Sequence, residues 1–165
     1  MEYTFFEKLS FKMAKTGMLS ARNASKKLQD DAAFIRVCVL TRGGEEIGFA
    51  SDRLKSDADF ILGLVKKSPD VLDFCSDVVY DRYETEDGLV EKEVDSMDFI
   101  SLCCCVDEDL ILYFSEDLIG KYYEYIQTQE QLSCDFHGKK VPIDIQLIRY
   151  ELQWIEDVMP QLVKY

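Results

Sequence analysis

The side chains best suited to chemistry in this 165-residue chain are six cysteines and one histidine. Cys103, Cys104 and Cys105 stand in a row, and Cys134 lies three residues before His137. Adjacent residues on a helix point about 100° apart, so three in a row cannot converge on one metal ion. Cys104 occupies the place that Val39 and Val65 hold in similar apolar runs, which makes these cysteines small buried hydrophobes. Cys134-x-x-His137 has ligand spacing, yet one cysteine and one histidine supply half of a zinc site. A thiolate nucleophile with His137 as its base is the alternative chemistry. It would make the chain a cysteine-dependent transferase or hydrolase using Cys134 or Cys105. No nucleophile motif surrounds either cysteine, and His137 reads as a turn residue before Gly138. Neither a metal nor a cofactor is expected.

Carboxylates are the other chemical resource. Asp31, Asp57 and Asp107 stand ahead of apolar runs at similar offsets, which is the grammar of N-caps and not of acid–base pairs. The stretch 80–95 is densely acidic and turns at Asp87-Gly88. Placing Gly88 at the glycine of a calcium loop puts Tyr83 and Thr85 where carboxylates belong, so it is not such a loop. Its flanks suit a small hairpin. Glu84, Glu86, Asp87, Glu91 and Glu93 are therefore expected as a partner-binding surface, with no catalytic residue among them.

These groups must be held by the pattern around them. Asp31, Asp57 and Ser96 each precede a phenylalanine by three residues (Phe34, Phe60 and Phe99), and a serine follows each ring: Ser51, Ser76 and Ser115. Self-similarity with a period near 25 residues predicts helical repeats. The first two units predict a core of Phe34, Ile35, Val39, Phe49, Leu54, Phe60, Ile61, Val65, Leu72, Phe74 and Val79. Ser68-Pro69 and Ser76 read as further helix starts.

The repeat residues also carry a resemblance. "Asp-x-x-Phe-Ile-x-x-x-Val … Leu-x-Phe-Cys-Ser-x-x-Val" and "Ile-Gly-Phe-Ala-Ser-Asp-Arg-Leu-Lys-Ser-Asp" resemble the family called domain of unknown function 4116, best over Asp31 to Val79 and fairly over Ser96 to Gly120. That family is similar to material in secreted effectors of intracellular bacterial pathogens and in some protist proteins. The resemblance implies a helical interaction module and brings no catalytic residues. It also implies a virulence role and passage into a host cell without a cleavable signal peptide.

Composition sets the outer bounds. The net charge of -13 argues against a nucleic-acid partner and suits a protein partner with a basic surface. Residues 1–29 run against the trend, with six basic side chains and two acidic ones. There Phe5, Phe6, Leu9 and Met13 form one helical stripe, with Lys8, Lys12 and Lys15 opposite. Docking of this helix on an anionic membrane is a third function class. No run is long enough to span a membrane. Cysteine usage and the absence of a signal-peptide pattern predict a reducing, cytoplasmic setting.

The expected fold is all-α: about three short stacked helical repeats with small hairpin-like insertions, in a single domain. Its parts are a basic N-terminal helix and partial repeat (1–29), two repeat units (30–79), the acidic insertion (80–95), a third unit (96–120), and a C-terminal hairpin and capping helix (121–165). The last helix should follow Asp144, bury Ile145, Ile148, Leu152, Ile155 and Met159, and end at Pro160. The expected function is a non-enzymatic protein–protein interaction module, a bacterial effector or a regulator or inhibitor of its partner.

Overall fold

A computed structural model describes residues 3–158, so Met159 and Pro160 lie outside the described residues. The chain gathers into two compact units, Met1–Val79 and Tyr80–Tyr165.

In the first unit, helices α1 (Phe5–Lys15), α2 (Lys26–Gln29), α3 (Ala32–Arg42), α4 (Asp52–Lys55) and α5 (Ala58–Val65) alternate with 3-10 helices at Ala21–Asn23, Gly44–Phe49 and Pro69–Asp73. Local capping decides where they start. Asp31 accepts a hydrogen bond from the Phe34 amide at 3.0 Å, and Asp57 from the Phe60 amide at 2.9 Å. Ser51 caps α4 in the same way. Helices this short are marginal alone, so burial must hold them. Phe34, Ile35, Val39, Leu54, Phe60, Ile61, Val65 and Val79 are buried as expected.

Two backbone staples join successive layers. The Ser51 amide donates to the Gln29 carbonyl at 2.9 Å, and the Ser76 amide donates to the Lys55 carbonyl at 2.9 Å. Two acids, Glu46 buried and Asp70 half-buried, add a second link between 3-10 helices. Glu46 accepts from the Ala21 amide at 2.6 Å, and Asp70 accepts from the Gly44 amide at 2.7 Å. Each thus satisfies an N–H that the preceding 3-10 helix leaves unbonded at its first residue.

That second link requires glycine at position 44. A Cβ there would collide with the Val71 backbone nitrogen and lie 2.6 Å from the Asp70 carbonyl carbon. Gly44→Ala should therefore cost about 1–3 kcal/mol. Chemical denaturation would show it as a lower midpoint with an unchanged slope; a loss below about 0.5 kcal/mol would contradict the tight packing.

The second unit holds β1 (Val79–Thr85, whose first residue ends the first unit), β2 (Gly88–Val94), α6 (Ser96–Val106), a 3-10 helix at Glu108–Tyr113, α7 (Glu116–Thr128), β3 (Leu132–Phe136), β4 (Lys139–Ile143) and α8 (Ile145–Val158). Strands β1 and β2 form one two-stranded sheet, and β3 and β4 form another. The β3–β4 pairing is antiparallel, with Cys134 opposite Val141 and Phe136 opposite Lys139. Ile145, Ile148, Leu152 and Ile155 are buried on α8, and Asp144 caps its first turn. Asp107 caps the 3-10 helix that follows α6.

Three expectations need correction. The all-α class is overturned by the two antiparallel sheets, and the chain is mixed α/β. The hairpin expected in the acidic stretch is present, as two seven-residue strands in which β-favouring Val, Tyr and Thr occur. Ser76 starts no helix, because a strand begins three residues on at Val79. Asp95, not Ser96, caps α6, accepting from the Met97 amide at 2.8 Å.

The core assignment also shifts. Phe49 and Phe74 are exposed and Leu72 is half-buried, while Ile47 and Val71 are fully buried in their place. Likewise α1 turns its expected apolar stripe outward, leaving Phe5 and Phe6 exposed. Its inner face is Glu7, Phe11 and Ala14, with the Phe11 ring edge-on to Phe34 at 5.2 Å. Ion pairing with Lys27 and a hydrogen bond from the Thr4 amide hold the Glu7 carboxyl down at about 2.

Candidate functional site

The two hairpins of the second unit bring together residues that are distant in sequence. Strand β1 alternates inward and outward, and Asp81 takes an inward place next to Val79. The β3–β4 turn is His137-Gly138, with φ of 51° and 66°. Two successive left-handed residues are what a two-residue hairpin turn requires, and glycine meets the second at no steric cost. A Cβ on Gly138 would also lie 3.2 Å from the Tyr83 ring of β1, so the missing side chain lets that ring lie on the turn.

Asp81 is 1% exposed. Its Oδ2 accepts a hydrogen bond from the His137 amide at 2.6 Å. Its Oδ1 lies 3.4 Å from His137 Nε2 and receives no hydrogen bond. The His137 ring stacks on Phe136, with centroids 4.3 Å apart. Beside them is a small cavity of about 180 Å³ lined by Asp81, Tyr83, Lys92, Asp135 and Gly138. At its edge Lys92 and Asp135 pair at 3.7 Å, each about half exposed.

Glu84, Glu86, Asp87, Glu91 and Glu93 are all exposed on the β1–β2 hairpin. Glu91 is already engaged: it accepts from Arg82 Nε at 2.6 Å, and the Arg82 guanidinium lies over the Tyr80 ring. Asp81, Tyr83, Lys92 and Asp135 were not anticipated from sequence. The pairing of Asp81 with His137 spans 56 positions.

The thiols stand differently. Cys134 is buried on the inner face of β3 and donates to the Asp98 carbonyl at 3.6 Å. Burial and the neighbouring Asp98 push its titration far above the ordinary thiol value. Cys105 is exposed, yet burial of its thiol raises it as well. Desolvation raises Cys38 and Cys75 to about 11. A nucleophilic cysteine needs the opposite shift. These four thiols should alkylate with iodoacetamide at pH 7.5 at least about tenfold slower than free cysteine, the rate rising as pH approaches 11. Mass-spectrometric labelling kinetics check this. One fast thiol at neutral pH would reverse it and favour cysteine chemistry.

Residues 38–78 match the model of the family described as Domain of unknown function (DUF4116). The match covers about a quarter of the chain. The matched segment runs from within α3 through α5 and the 3-10 helix at Pro69–Asp73, stopping just before β1. It therefore includes Gly44, Glu46 and Asp70 of the layer links and leaves out both hairpins. No curated protein and no solved structure matches the chain. No described helix is long and apolar enough to cross a membrane.

Proposed function

We propose that this chain is a non-enzymatic interaction module, an effector or a regulator of its partner, whose second unit docks on a basic protein surface. One observation carries this: the distribution of charge. Residues 1–79 hold twelve basic and twelve acidic side chains, whereas residues 80–165 hold seven and twenty. The whole excess of -13 thus belongs to the second unit. A scaffold kept soluble by charge alone has no need to divide it so unevenly.

Within that unit the β1–β2 hairpin displays Glu84, Glu86, Asp87 and Glu93 as exposed carboxylates on a two-stranded support. Such a surface steers a basic partner by long-range attraction that salt weakens. Glu91 contributes less, because Arg82 already neutralises it. The test is isothermal titration with lysine- and arginine-rich peptides at low and at physiological salt. Saturable binding that weakens with salt supports docking; no binding at low salt rejects it.

A further inference from the structure

We infer that the cavity floored by Asp81 receives a single ammonium or guanidinium group, the end of a lysine or arginine side chain of the docking partner. This deepens the docking proposal above and rests on it. Three features of the site point the same way.

The first is the floor. Asp81 is almost completely buried, and its Oδ1 lacks a hydrogen bond even though Oδ2 takes the His137 amide. Buried polar atoms are nearly always bonded, so an exception calls for a donor. The His137 ring approaches Oδ1 at 3.4 Å without bonding to it, and its side chain is 39% exposed.

The second is the charge and chemistry of the walls. Asp81 and Asp135 face one cation, Lys92, and that ammonium goes to Asp135. Asp81 faces no lysine or arginine of its own, only the His137 ring and amide, so the site is net acidic and rejects anions. Tyr83 offers a ring against which a cation gains further attraction. Among the described residues no three His, Cys, Asp or Glu side chains are placed to hold a metal ion, which favours an organic cation.

The third is size. About 180 Å³ is below the ~300–1,000 Å³ of pockets that enclose a whole small molecule. It suits the tip of one long side chain, while the carboxylates of the hairpin meet the rest of a basic surface.

The experiment is an amide-resolved NMR titration of the full chain with Nα-acetyl-lysine methylamide and with Nα-acetyl-arginine methylamide. Nα-acetyl-norleucine methylamide serves as the uncharged control. Saturable shifts centred on the His137 and Gly138 amides are expected for at least one cationic probe and not for norleucine. A response to lysine alone assigns an ammonium site, and one to arginine alone a guanidinium site. Asp81→Asn keeps the shape and should weaken binding at least tenfold. Lys92→Met removes a competing cation from a half-exposed position and should tighten binding several-fold, which keeps the test open should Asp81→Asn fail to fold. Shifts elsewhere only, equal shifts with norleucine, or unchanged binding in Lys92→Met would overturn the inference. Lysine reversal of Glu84, Glu86, Asp87 and Glu93 should leave this single-residue binding within about threefold. Loss of the pocket response with polybasic binding intact thus rejects the pocket alone, and the converse rejects the docking proposal.

Discussion

Replacing Glu46 by alanine should destabilise the first unit by about 3 kcal/mol, since it strands a buried backbone N–H and removes the carboxylate that Arg42 bonds. Glu46 is 1% exposed. One of its oxygens accepts from the Ala21 amide at 2.6 Å and from Ser20 Oγ at 2.9 Å, and the other accepts from Arg42 Nε at 2.6 Å. Alanine would strand a buried backbone N–H and leave Arg42 only its bond to the Gly17 carbonyl among those described. For a unit of this size the loss corresponds to a fall of about 12–24 °C in melting temperature. Glu46→Gln keeps the shape and should lose about half as much. Calorimetry of both variants decides it: a fall of less than about 4 °C in Glu46→Ala would mean the acid is not the tie between layers.

The second large effect is on binding. Four exposed carboxylates, each worth up to about 1 kcal/mol against a facing cation, become repulsive when changed to lysine. Reversal of Glu84, Glu86, Asp87 and Glu93 should therefore weaken a basic partner about a hundredfold at low salt. The fold should tolerate the change, because none of the four side chains is buried. Reversing Glu91 as well would set a lysine against Arg82 and disturb the hairpin itself, so Glu91 stays.

Features governed by neighbours in sequence were legible before the fold was known. Asp31, Asp57 and Asp107 announce caps, because a cap and the amide it binds lie within three residues. The turn at His137-Gly138 announces itself for the same reason. Errors arose where the period was misjudged. Helical spacing places Phe49, Leu72 and Phe74 in the core, but they lie in or beside 3-10 segments, whose tighter winding turns Ile47 and Val71 inward instead. Helix α1 has apolar residues on both faces, Phe5, Phe6 and Leu9 on one and Phe11 and Ala14 on the other. Its orientation is fixed by what Phe34 and Lys27 meet, which no local pattern encodes. Features that depend on distant partners were invisible. Gly44 looks like the second half of a loop until the backbone of residues 70 and 71 is laid against it. Asp81 looks like one more surface acid until the distant turn closes over it.

The most direct test compares two variants that change net charge equally. One carries the four hairpin reversals at Glu84, Glu86, Asp87 and Glu93. The other carries lysine at Asp109, Glu124 and Glu130, exposed acids elsewhere in the second unit, and at Asp157 of α8. Both are titrated calorimetrically with the same lysine- and arginine-rich peptide at low salt. Binding lost about a hundredfold in the first and less than about fivefold in the second is the expected result. Equal losses in both would mean that only bulk charge attracts the peptide, and that the hairpin is not where a partner sits.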